Sequence, residues 1–148
     1  MYDRILVPTD GSEGTRGAVE HGIDLASTYD AALHTLYVVD TSVGVDSSVV
    51  GTLEALEEAG QDAIDEVIRQ AEAVGVGTVE GVVAQGAPHR AILDYVDEHD
   101  VDLVVMGTHG RTGLGRVLLG SVTEKVVRLS DVPVVTVRMP VEESEDGS

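Results

Sequence analysis

The stretch Gly107-Thr108-His109-Gly110-Arg111-Thr112-Gly113-Leu114-Gly115-Arg116-Val117-Leu118-Leu119-Gly120-Ser121 holds five glycines in fifteen residues. Glycine lets a loop turn through positive φ and lets its N–H groups approach a ligand. A row of such donors leading into a helix N-terminus suits a phosphate. Ser121-Val122-Thr123-Glu124 has the Ser-x-x-Glu form of a capping box, which predicts that Ser121 caps the helix that follows. Capping and phosphate contact are compatible, since both use the helix mouth. Two familiar glycine motifs do not fit. Gly110 to Gly115 has P-loop spacing, but Arg116-Val117 stands where Lys-Ser/Thr is required, and valine cannot ligate Mg²⁺. A dinucleotide fingerprint lacks its third glycine after Gly113-x-Gly115. On these grounds alone, a glycine-rich surface connection without a ligand explains the stretch nearly as well.

Other chemistries are poorly supplied. The absence of cysteine excludes disulfides, thiolate metal sites and cysteine catalysis, and fits a reducing cytoplasm. His21, His34, His89, His99 and His109 include no i,i+4 pair, so no histidine metal site is assigned. A phospho-receiver needs an aspartate ending the third strand and a lysine ending the fifth, where this chain has Ala84 and Arg138. A flavin site usually recruits aromatic stacking, and Phe and Trp are absent.

The elements that must position these residues alternate between strand and helix. Arg4 to Pro8 reads as a first strand, broken by the turn cluster Thr9-Asp10-Gly11-Ser12. Ala18, Gly22, Leu25, Ala26 and Tyr29 recur at helical spacing, and Ala32 to Val39 is a second strand. Asp40 to Thr52 reads as a loop. Leu53, Leu56, Gly60, Ala63, Val67, Ala71 and Val74 form the apolar stripe of a long helix. A third strand covers Thr78 to Ala84, and Pro88 opens a helix with Ile92, Leu93 and Val96 inward. Asp102 to Met106 is a fourth strand, apolar enough to be covered on both faces. A helix over Ser121 to Leu129 and a fifth strand, Val134 to Val137, complete the pattern. Residues 1–140 are expected to form one domain, followed by a disordered acidic tail over 141–148.

Such alternation predicts an α/β fold: a single doubly wound, five-stranded parallel sheet with helices on both faces. Two strand orders are common, 3-2-1-4-5 and 2-1-3-4-5, and in both ligands bind beyond the carboxyl ends of the strands where the winding reverses. The first order sets the ends of strands one and four side by side. Those ends carry the two least ordinary loops, Thr9 to Ser12 and Gly107 to Gly110, so the order 3-2-1-4-5 is expected.

Twenty-seven acids stand against nine Lys and Arg, a formal net charge of −18, and Lys125 is the only lysine. Such a surface repels nucleic-acid phosphates and anionic lipid. With aromatic residues at 3%, no base-stacking platform is available either. The opening Met1-Tyr2-Asp3-Arg4-Ile5 has no cationic region followed by a long apolar one, and no apolar run approaches the ~20 residues of a membrane span. A cytoplasmic protein with neither nucleic-acid nor membrane partners is expected. Acid excess with almost no lysine further suggests a salt-rich cytoplasm, where screening shrinks to ~3 Å at 1 M.

The spacing Gly107-x2-Gly110-x9-Gly120-Ser121 resembles the nucleotide-binding motif of the universal stress protein family, in its ATP-binding branch. The resemblance extends through Leu118 to Val126, the closing Val132-Pro133-Val134-Val135-Thr136-Val137 and the opening Ile5 to Ser12. It implies an adenine nucleotide alpha hydrolase-like sheet, a stress-response role, and homodimerisation through strand five, Val134 to Val137. It also implies ATP, or AMP or ADP, as ligand, with Mg²⁺. Carried over residue by residue, the site comprises Pro8, Thr9, Asp10, Val38, Met106, Gly107, Gly110, Arg111, Gly120, Ser121, Val122 and Thr123. Asp10 is an acceptor only, so it would repel phosphate but accept from an adenine amine or a ribose hydroxyl. The phosphates then belong near Gly120-Ser121, with Arg111 in reach.

Plainer roles stand beside these. Asp10 also suits a turn bonding its own backbone, Arg111 a solvated surface charge, and Val122 and Thr123 mere filling of a helical turn. The leading expectation is a nucleotide-binding regulator with no catalytic residue assigned. The alternative is a slow ATPase or nucleotide hydrolase at the same site, for which His109 is the only plausible general base.

Overall fold

Strict alternation makes the first strand a two-faced wall. Ile5 and Val7 point to one side, Leu6 to the other, and all three are fully buried. The computed structural model describes residues 2–41, 50–108 and 120–138. Its elements run β1 (Arg4–Pro8), α1 (Glu13–Tyr29), β2 (Ala32–Asp40), α2 (Val50–Ala73), β3 (Val79–Gly86), α3 (Pro88–Glu98), β4 (Leu103–Gly107), α4 (Gly120–Leu129) and β5 (Val134–Val137). The five strands are parallel in the order β3-β2-β1-β4-β5, the expected doubly wound arrangement.

The period-two pattern sorts the core into two layers. Ile5, Val7, Leu33, Leu103 and Val105 pack beneath α1 and the end of α2. Leu6, Leu36, Val104 and Met106 pack against Ile92, Leu93 and Val96 of α3 and Val126 of α4. Helix α1 lies so close to β1 that a β-carbon on Gly22 would fall 2.3 Å from Cγ2 of Val7. The side chain of Asp102, just before β4, accepts the backbone N–H groups of Asp3 and Arg4 at 3.0 and 3.3 Å, clasping the start of β1 to β4.

Several boundaries differ from the sequence reading. Helix α2 begins at Val50, three residues before the expected apolar stripe, and β3 continues to Gly86 because its end pairs with Asp40 of β2. The inward stripe of α1 includes Val19 and Ile23, while Tyr29 is exposed and meets the ring of Tyr2 edge-on. Val74 lies past the end of α2 and is exposed. Ser121 does not cap α4: the helix already includes Gly120, so Ser121 is in its first turn. The expected acidic tail lies outside the described residues, as do residues 42–49. Among the described residues, no helix is long and apolar enough to cross a membrane.

Candidate functional site

The winding reverses between β1 and β4, which pair directly through Ile5↔Leu103 and Leu6↔Val104. From β1 the chain passes to β2 on one side, while β4 continues to β5 on the other, so the loops beyond their carboxyl ends diverge and leave a crevice. A cavity of about 170 Å³ opens there. Pro8, Thr9 and Asp10 line it from β1, Leu36 and Val38 from β2, and Met106 and Gly107 from β4. Pro88 and Ile92 of α3, Thr15 of α1, and Val122 and Thr123 of α4 complete the described wall. Apart from Asp10 and the threonines these groups are apolar. Such a wall suits the faces of a flat heterocycle, and the single carboxylate supplies an acceptor at its edge.

Close contacts fix the ends of the strands. Thr9 is buried and its N–H donates to the carbonyl of Leu36 at 2.9 Å, holding the turn after β1 against β2. At Gly107 three elements meet. A β-carbon there would stand 2.6 Å from the carbonyl oxygen of Gly14, in the first turn of α1. The Gly107 carbonyl accepts the buried hydroxyl of Thr123 at 3.0 Å, tying the start of α4 to the end of β4. The N–H of Thr108 donates to Val137 at 3.0 Å, continuing the β4–β5 ladder. The Thr123 side chain thus does more than fill a helical turn: its hydroxyl joins α4 to the end of β4.

Asp10 has the plain turn role as well as its place in the crevice. Its Oδ1 accepts the N–H of Ser12 at 2.9 Å and the Ser12 hydroxyl at 2.5 Å. A second, larger cavity of about 510 Å³ lies on the other side of this turn, between α1 and α2, and shares Thr9, Asp10 and Thr15 with the first. Glu13, Asp62 and Glu66 line it together with Arg16, so its lining carries a net negative charge.

Eight of the twelve site residues expected from the sequence therefore line one crevice: Pro8, Thr9, Asp10, Val38, Met106, Gly107, Val122 and Thr123. Ser121 is exposed in the first turn of α4 and is not part of the described wall, and Gly120 begins that helix. Gly110 and Arg111 lie outside the described residues, as do His109 and Arg116. Sequence reasoning missed Thr15, Leu36, Pro88 and Ile92. Leu36 shares a strand face with Val38 by period two, and Pro88 and Ile92 share a helix face at i,i+4. Those periodicities were the available signal.

A sequence model of the universal stress protein family matches residues 1–138. A universal stress protein of Methanocaldococcus jannaschii is 39% identical over 147 residues, covering 97% of this chain and 86% of its own. Among solved structures, the universal stress protein UspA from Lactobacillus plantarum is 30% identical with a TM-score of 0.81, covering 93% of this chain and 98% of its own. A universal stress protein family protein from Arabidopsis thaliana with AMP bound has a TM-score of 0.73 and covers 98% of this chain and 97% of its own. At 18% identity, that structure shows the common fold alone.

Proposed function

The chain belongs to the universal stress protein family, and on that premise we propose that it is an adenine-nucleotide-binding regulator of the ATP-binding branch. The observation that carries this reading is the crevice itself. An apolar slot formed by Leu36, Val38, Ile92 and Met106 has one carboxylate, Asp10, at its rim and opens toward the start of α4. In this reading the adenine lies between the apolar walls with its amine or the ribose hydroxyls on Asp10. The phosphates run toward Gly110, Arg111, Gly120 and Ser121, where backbone donors and the helix dipole favour negative charge. The AMP carried by the Arabidopsis protein is consistent with this choice of ligand.

A triphosphate would bring its own Mg²⁺. Among the described residues no group of three or more His, Asp or Glu side chains could hold an ion, and Mg²⁺ commonly keeps waters and phosphate oxygens as ligands. Binding without turnover is the reading we favour. Hydrolysis needs a group that orients water at the phosphates, whereas Asp10, the only titratable side chain in the described wall, stands at the heterocycle end. A dimer in a salt-rich cytoplasm completes the proposal. Strand β5 ends the sheet with a row of half-buried valines, and the neighbouring α4 exposes Val127 and Leu129.

Calorimetry with ATP tests the reading. Wild-type protein should bind, and Gly110→Val should weaken binding at least tenfold (about 1.4 kcal/mol) while leaving the far-ultraviolet spectrum unchanged. No heat of binding from wild-type protein, together with no nucleotide in the small molecules released from freshly purified material, would refute it.

A further inference from the structure

Three donors meet on one oxygen of Asp10. Oδ1 accepts from the Ser12 N–H, from the Ser12 hydroxyl and, at 3.4 Å, from the Thr15 hydroxyl. Behind Thr15 the donors form a chain. The N–H of Gly11 donates to Thr9 Oγ1 at 3.1 Å, and Thr9 Oγ1 lies 3.1 Å from Thr15 Oγ1, a hydroxyl pair in which Thr9 donates when the Thr15 proton goes to Asp10 or Ser12. The single Thr15 proton is then shared between Asp10 Oδ1 and the carbonyl of Ser12 at 3.1 Å. Linked hydrogen bonds polarise one another, and a charged acceptor at the end strengthens them.

Ser12 occupies the N-cap position of α1, yet its side chain makes no capping hydrogen bond to the helix. A serine there normally serves the helix N–H groups. Here its hydroxyl serves the carboxylate instead. The direction of that carboxylate matters because Asp10, Thr9 and Thr15 form the partition between the two cavities. A carboxylate able to swing would address either side, and only the side with apolar walls fits a heterocycle.

We infer that Ser12 and Thr15 are positioning residues for the nucleotide site, a latch that pins one oxygen of Asp10 and so sets the direction of the carboxylate. The inference rests on the adenine-nucleotide reading above. Ser12 lines the α1–α2 cavity and is not part of the described crevice wall, so its side chain reaches a ligand in the crevice through Asp10.

Thr15→Val keeps the shape and methyl group of the side chain and removes the hydroxyl. Thr15→Ser keeps the hydroxyl and removes the methyl. With ATP as the probe, calorimetry should show Thr15→Val weakened about tenfold, Ser12→Ala weakened several-fold, and Thr15→Ser close to wild type, the loss expected for hydrogen bonds to a charged group. Thermal midpoints measured alongside should show that all three variants are folded. The reverse order, with Thr15→Ser impaired and Thr15→Val intact, would mean that Thr15 acts by packing and would overturn the latch. Wild-type affinity in Ser12→Ala would overturn it as well. No binding by wild-type protein would defeat the nucleotide reading and the latch together, an outcome distinct from either of these.

Discussion

The hydroxyl of Tyr95 lies 2.6 Å from Nδ1 of His34, in the buried layer between β2 and α3. The Tyr95 ring stacks on that of His99, with centroids 3.8 Å apart and planes inclined by 14°. Burial holds His34 below the ordinary histidine value. His99 and Arg4 act in the same direction, and Glu80, on the neighbouring strand, opposes them. Tyr95 is pushed up to about 12, by burial first and by Glu80 second, so it keeps its proton at neutral pH. This pair docks the helix whose other end, at Pro88 and Ile92, lines the crevice.

Stability should therefore fall on acidification. A histidine in the unfolded chain takes up a proton near pH ~6.5, whereas folded His34 resists it. Below that pH the unfolded state binds more protons, so stability declines until the folded ring also protonates. Urea unfolding measured from about pH 8 down to about pH 5 should show a steeper loss for wild type than for His34→Gln, which cannot titrate. Identical pH slopes in the two proteins would contradict this account.

Gly107→Ala should destabilise the fold by about 1–3 kcal/mol, the usual cost of overpacking. The added methyl meets the backbone carbonyl of Gly14, and backbone cannot rotate away as a flexible side chain can. Denaturant titration measures the cost. A variant as stable as wild type would show that α1 is free to move off the end of β4.

Thr123→Val should cost about 1–3 kcal/mol, because it leaves the Gly107 carbonyl without its donor at nearly unchanged volume. Thr123→Ser keeps the hydroxyl and should recover much of that loss. Equal losses in the two variants, by the same titration, would assign Thr123 a packing role only.

Salt should stabilise the protein. The formal net charge is −18, and the three ion pairs found among the described residues, Arg16–Glu13, Arg69–Glu66 and Arg128–Glu124, are exposed and each lies within one helix. Such pairs contribute little, and they leave most of the carboxylate repulsion uncompensated. The thermal midpoint should rise as KCl is raised from about 0.1 M toward 1 M, where the screening length drops to ~3 Å. A flat response would remove the salt-adapted reading.

The alternation of Ile5, Leu6 and Val7 and the helical recurrence of Ala18, Gly22 and Ala26 are local properties, and they were enough to read the strands, the helices and the two unusual loops. The strand order followed from setting those loops together. Tertiary structure decided what each face meets. Period two assigns Leu36 to a face, but the approach of Ile92 across it depends on how α3 packs. His34 and Tyr95 are 61 positions apart, and no spacing in the sequence announces their hydrogen bond. The need for glycine at 107 likewise comes from the Gly14 carbonyl, which is far away along the chain. Short-range periodicity records which way a side chain points. Only the folded packing supplies its partner, because that depends on the relative placement of elements that the chain itself keeps far apart.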